Sequence, residues 1–249
     1  MTNKKKRRRV RKELRILAYI VVVLILLIVG LVAYNLFSER GKGGDVHVVM
    51  LDNAHGGDAS GYQGLISEDE YNEQLIDALA AKFENDSSYR IVRTHQDGQA
   101  MAVSTRVEVI NEEKPDLVLS VRCHSGDSPN FNEMKIFAQP ASSKYHSDSA
   151  AFAQLIEQAF QEKGVACSSG YYYYKPIKTG YYQEHLTALD DETDYEEATW
   201  DLMAANAPVV ITSEFNVNNS DDVALWTSEE GIATAADLYY NAIRGMFGN

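Results

Sequence analysis

The hydrophobic positions change period along the chain, and each change marks an element. Residues 16–37 form an unbroken apolar run with no charged side chain. About 20 such residues, rising 1.5 Å each, span a bilayer core, so the run predicts one N-terminal transmembrane helix. Tyr19 and Tyr34 stand near its ends, where interfacial aromatics sit. Beyond it, short apolar blocks alternate with longer blocks of helical spacing. Residues 46–51, 89–92, 117–121, 134–138 and 208–215 read as strands. Residues 70–83 carry Leu75, Ile76, Leu79 and Ala80 at helical spacing and read as a helix. Residues 101–111, 147–164 and 228–247 read the same way; Ser228 suits an N-cap, with Glu229 and Glu230 in the first turn. Strands separated by helices predict an α/β three-layer sandwich, with a mainly parallel central sheet flanked by helices.

One region resists the alternation. Residues 168–197 hold four consecutive tyrosines from Tyr171 to Tyr174, a second pair at Tyr181 and Tyr182, and an acidic run over 190–197. Tyrosine favours strands, so a tyrosine-rich strand or loop packed on the core is the simpler reading. A groove-side loop whose rings stack on sugars is the other.

Charge divides the chain further. The formal net charge is -13. Residues 1–15 hold nine basic side chains against one acid, Glu13, a local +8 that leaves -21 on the rest. A body this acidic excludes a nucleic-acid partner. The basic run directly before the apolar span places the N-terminus in the cytoplasm and the body outside. Ser38-Glu39-Arg40-Gly41 is a poor small-residue cleavage site, which favours an uncleaved anchor over a signal peptide. The organisation that follows is a basic cytoplasmic tail (1–15), a transmembrane helix (16–37), a Gly-rich linker (38–45) and one α/β domain (46–249). Cys123 and Cys167 are the two cysteines, too few for a disulfide framework or a CxxC zinc site; whether they pair is left open.

The chemistry concentrates at the end of the first strand. Its apolar run breaks at Asp52-Asn53-Ala54, and His55 follows, backed by Gly56 and Gly57. A Gly- and Ser-rich loop leads to Glu68-Asp69-Glu70 at the start of the next helix. A histidine at a strand end and a carboxylate at a helix start make a candidate pair of metal ligands, placed where open α/β sheets bind ligands. The bland reading of the acids is that they complement the helix dipole.

These segments resemble the type-3 family of zinc-dependent N-acetylmuramoyl-L-alanine amidases. Asp52 to Gly57 stands where that family has DPGHGG, and Glu68 to Asn72 where it has EKDxN. Val92-Arg93-Thr94, then Arg106 and Asn111, follow the family's LTR strand end and the helix after it. Ser120 to His124 stands for SIHAN, and residues 208–215 for PxxLxExxF. The resemblance covers the whole body in order and spacing. It implies one Zn²⁺ held by His55, Glu68 and His124, with an open position for water, and Glu214 as general base. It further implies hydrolysis of the bond between N-acetylmuramic acid and L-alanine, with peptidoglycan as the partner.

Two positions depart from the pattern. By register the family's third-strand histidine falls on Arg122, and an arginine cannot ligate zinc. His124, two residues on, is either the displaced ligand or a polar residue of an exposed loop. By register the family's last glutamate falls on Ser213, one residue before Glu214. A bulge restores Glu214 to the site; without one it faces the other side of the sheet, solvated and idle. A degenerate amidase-like domain that binds peptidoglycan or a protein partner without cutting is the rival reading. His47, His95, His146 and His185 lack a comparable setting, and Arg106 reads as a structural ion-pair partner.

Overall fold

The structure, a computed structural model, describes residues 46–125, 133–178, 181–191 and 201–248. The basic tail, the apolar run 16–37, the linker and most of the acidic run 190–197 lie outside the described residues. Among the described residues, no helix is long and apolar enough to cross a membrane.

Seven strands form one sheet: β1 (His47–Asn53), β2 (Tyr89–Arg93), β3 (Leu117–His124), β4 (Met134–Ala138), β5 (Cys167–Lys178), β6 (Tyr181–Thr187) and β7 (Val209–Asn216). Their order is β2-β1-β3-β7-β4-β5-β6. The first four run parallel, β4 runs against β7, β5 runs with β4, and β6 returns against β5. The sheet is thus mixed but mainly parallel. The tyrosine-rich segment is β5 and β6, so the strand reading of it holds. Tyr171 is buried, and its hydroxyl donates to the Asp191 carbonyl at 2.9 Å.

The described residues form five helices, four of which follow the pattern of apolar spacing. They are α1 (Glu68–Lys82), α2 (Val103–Glu113), α3 (His146–Gln161), α4 (Ser220–Trp226) and α5 (Glu229–Met246). Helix α4 has no counterpart in the sequence reading, because seven residues carry too little periodicity to register. Its start is nonetheless marked: the Asn219 side chain accepts from the amides of Asp221 and Asp222. Ser228 caps α5 as expected, accepting from the Gly231 amide at 3.0 Å.

Alternate side chains of each central strand serve the two faces. On one face Val49 and Leu51 of β1 and Leu117, Leu119 and Val121 of β3 meet Leu75 of α1, Phe152 of α3 and Tyr239 of α5 in one buried cluster. On the other, Met50, Val118, Val209 and Ile211 meet Ile110 of α2 and Leu202 and Met203 of the short helical turn Asp201–Ala204. Helices therefore cover both faces, unequally, as a three-layer α/β arrangement requires.

A buried carboxylate ties the strand ends together. Asp52, fully buried, accepts from Thr94 Oγ1, from the Arg106 guanidinium and from Ser120 Oγ, each at 2.6 Å. One side chain thereby joins β1, the end of β2, α2 and β3, three residues before His55. Arg106 is the structural ion-pair partner that its position predicts. Cys123 and Cys167 are both free thiols.

Candidate functional site

The parallel strands β1, β3 and β7 end on one edge of the sheet, and a cavity of about 470 Å³ opens there. His55, Tyr62, Arg122, His124 and Ser213 stand on its wall, over an apolar floor that includes Phe137, Met203 and Ile211.

The half of the site built by β1 and α1 is preformed. Strand β1 stops at Asn53, while β3 runs on to His124, so the Cys123 amide has no β1 partner at that level. A buried amide needs an acceptor. Glu68, in the first turn of α1 and fully buried, supplies it: Oε1 accepts from the Cys123 amide and Oε2 from the Tyr62 amide, both at 2.7 Å. His55 Nε2 lies 3.5 Å from the same Oε1. The loop between them passes so close that only glycine fits at position 61. Gly61 has φ +70, and a Cβ there would collide with the Glu68 carboxylate and the His55 ring.

The half built by β3 and β7 is different. Arg122 pairs with Ser213 across the two strands, and both face the cavity. The pairing then slips: His124 stands opposite Asn216, so β7 carries one more residue than β3 over this stretch. The bulge keeps Glu214 and Phe215 together on the helix-covered face of the sheet. Phe215 packs edge-on against Tyr71, and Glu214 accepts from the hydroxyls of Tyr71 (2.5 Å) and Tyr239 (2.7 Å). Glu214 is neither in the cavity beside His55 nor solvated: it is a buried acceptor between α1 and α5. It borders instead a second cavity, of about 510 Å³, together with Trp226 and Asp222. Burial pushes its carboxyl up to about 7, although the two tyrosine donors pull the other way. Burial, then the nearby Glu214, raises both phenols further above their ordinary range. The Cys123 thiol is pushed up by burial, then by Glu214 and Glu68.

His124 is the last residue of β3 rather than part of a loop. Its ring lines the cavity, and Nδ1 contacts Ser213 Oγ at 3.0 Å. Burial pushes it down to about 4, leaving a neutral imidazole at neutral pH.

The fit to a zinc ion is therefore partial. The separation of His55 Nε2 and Glu68 Oε1 suits two ligands on one tetrahedral metal, since ligands at ~2.0–2.1 Å from zinc stand ~3.3 Å apart. The third ligand is not assembled. Among the described residues, no group of three or more His, Cys, Asp or Glu side chains is placed to hold a metal. A guanidinium stands at the third register position, and Ser213 contacts the Nδ1 side of the His124 ring. The residues as placed do not make the three-ligand centre. Register counting reaches Arg122 and Ser213 from the sequence. The contact between Ser213 and His124, and the Tyr71–Glu214–Tyr239 set, have no sequence signal, because they join elements some 25 to 143 residues apart.

A family model described as N-acetylmuramoyl-L-alanine amidase matches residues 49–245. No curated protein matches the chain in sequence. In fold the chain is similar to the catalytic domain of CwlV, an N-acetylmuramoyl-L-alanine amidase of Bacillus (Paenibacillus) polymyxa var. colistinus. The TM-score is 0.63 at 18% identity, covering 81% of this chain and 98% of that one. An N-acetylmuramoyl-L-alanine amidase of Clostridium difficile 630 gives 0.64 at 13% identity, covering 82% and 98%. The CwlD amidase of Clostridioides difficile, in complex with the GerS lipoprotein, gives 0.61 at 16% identity, covering 81% and 98%.

Proposed function

The chain belongs to the N-acetylmuramoyl-L-alanine amidase family, and from that premise we propose that it is a peptidoglycan-directed domain that receives a muramoyl-peptide in the cavity at the ends of β1, β3 and β7. Family membership supports peptidoglycan as the material and an amide bond as the bond its fold is built around. The geometry favours binding over zinc-activated hydrolysis. The observation that carries this reading is the β3–β7 pairing: Arg122 and Ser213 face the cavity where the resemblance expects a ligand and a base, while Glu214 is buried on the opposite face. The apolar run 16–37, preceded by nine basic residues, supports a location on the outer face of a membrane, within reach of the wall.

One observation favours a second reading, a membrane-anchored zinc amidase: the His55–Glu68 pair already has the spacing of two metal ligands. In that reading His55, Glu68 and His124 hold the ion, which supplies Lewis-acid polarisation of the scissile carbonyl.

The test is metal analysis of the full-length chain in detergent, paired with sedimentation on purified sacculi and release of stem peptides. The binding reading expects well under one zinc per chain, co-sedimentation and no released peptides. One zinc per chain together with peptide release would hand the conclusion to the second reading.

A further inference from the structure

The loop between β1 and α1 is tied down along its length, yet it displays apolar side chains to solvent. Both backbone polar groups of Tyr62 are engaged by one residue: its amide donates to Glu68 Oε2 at 2.7 Å, and its carbonyl accepts from the Glu68 amide at 3.1 Å. Gln63 pairs with Ser67 in an antiparallel bridge, and its side chain donates to Ser67 Oγ at 3.0 Å. The Leu65 amide donates to the Val217 carbonyl at 2.9 Å, which fastens the loop to the chain just past β7. Gly64 permits that approach, since a Cβ there would stand 2.6 Å from the Val217 carbonyl oxygen. What this mount displays is Tyr62, 49% exposed, and Leu65, 60% exposed. Among the described residues Tyr62 is the one exposed aromatic side chain, and it lines the strand-end cavity; Leu65 does not. A side chain that both lines a cavity and stands half in solvent marks its mouth. Exposed apolar residues scattered singly are ordinary, but a ring fixed at a cavity mouth by both of its backbone groups is preorganised for contact.

A muramoyl-peptide has two unlike parts. The stem is a short peptide of a size that a cavity of about 470 Å³ holds. The sugar belongs to a glycan strand that continues on both sides of it, so it stays outside, at the mouth. Resting on the reading that the cavity receives a muramoyl-peptide, we propose that Tyr62 recognises the muramic sugar, its ring stacking on the pyranose while the stem lies over the floor of Phe137, Met203 and Ile211. A pyranose offers a face of C–H groups edged by hydroxyls. A tyrosine is apolar across its ring and polar at its tip, so the two match in a half-wet setting. The contact orders little that is free, because a tyrosine has two side-chain torsions and the backbone of Tyr62 is already held by Glu68. Glu68, which lies beside His55, thereby also sets where the sugar is read.

The experiment uses the full-length chain in detergent and two synthetic ligands: an N-acetylmuramoyl dipeptide, and the same dipeptide carrying only the lactyl group in place of the sugar. Binding is measured by calorimetry, with sedimentation on sacculi in parallel. The wild type is expected to prefer the sugar-bearing ligand by about fivefold, the scale of one aromatic stacking contact. Tyr62→Ala is expected to erase that preference, Tyr62→Phe to keep it, and Leu65→Ala, on the same loop but outside the cavity, to leave it unchanged. Equal binding of the two ligands by the wild type overturns the assignment without needing any variant to fold. So does a preference that survives in Tyr62→Ala, or one that Leu65→Ala abolishes. Loss of the preference in Tyr62→Phe would place recognition in the hydroxyl and overturn stacking. Binding of neither ligand by a protein that still sediments with sacculi overturns the assignment and leaves the peptidoglycan reading standing. Loss of both ligand binding and sedimentation would defeat the peptidoglycan reading itself.

Discussion

The two halves of the strand-end site were built under different demands. Around β1 and α1, every part holds a histidine and a carboxylate in place: Asp52 clamps the strand end, Gly61 lets the loop pass, and two amides fix Glu68. Across β3 and β7, the same edge offers a guanidinium and a hydroxyl, and the acid is turned to the other face. Scaffold and chemistry are therefore separable. The Asp52 clamp and the Gly61 passage work whether or not a metal is bound, because they satisfy buried polar groups and sterics within the chain itself. The side chains at 122 and 213 contribute nothing to those contacts and are free to change what the cavity recognises.

The sharpest way to break this comparison is to return a histidine to the second half. R122H places a third imidazole or carboxylate ligand beside His55 and Glu68. Zinc retained after dialysis, read by elemental analysis, is expected to rise by about tenfold or more over the wild type, the scale that ligand-shell changes produce. No rise would mean that the first half is not poised for a metal.

The next effect tests the clamp. Asp52→Ala leaves Arg106 as an uncompensated buried charge and removes the acceptor of Thr94 and Ser120. Denaturant unfolding is expected to show a loss of ~3–5 kcal/mol. A loss below ~1 kcal/mol would show that the clamp does not organise the strand ends.

The smallest effect concerns Glu214 and depends on pH. Its carboxyl is raised by burial from 4.5 to about 7. Below 4.5 it is protonated in both folded and unfolded chains. Between 4.5 and about 7 the unfolded chain gives up the proton while the folded domain keeps it, so its contribution to stability falls as pH rises and levels off above about 7. The fall is expected to be on the order of 3 kcal/mol and to be absent in Glu214→Gln. An E214Q protein with the same pH profile would remove Glu214 as its source.

Much of the fold was legible from residue pattern. The five strands read from apolar runs are all present, and β5 and β6 sit where tyrosines crowd the sequence, as the strand preference of tyrosine expects. The Asp52–Arg106 pair and the nearness of His55 to Glu68 were also within reach. The nearness of His55 to Glu68 depends on a strand end, a short loop and a helix start, all local features, whereas Arg106 reaches Asp52 from 54 residues away and follows from the order of the motifs. Helix α4 escaped notice because it is too short to show a period.

What the sequence by itself determined is the family, the order of strands and helices, and which residue types arrive at the strand ends, including an arginine and a serine where a ligand and a base are expected. Only the tertiary structure decided which way Glu214 and His124 face. Alternation puts Glu214 on the face opposite Ser213, and only the position of one extra residue in β7 decides whether it is carried back to the cavity. That residue is the bulge between β3 and β7, strands some 90 positions apart in sequence. The hydroxyls of Tyr71 and Tyr239, brought in by two helices from opposite ends of the domain, then hold Glu214 on the buried side.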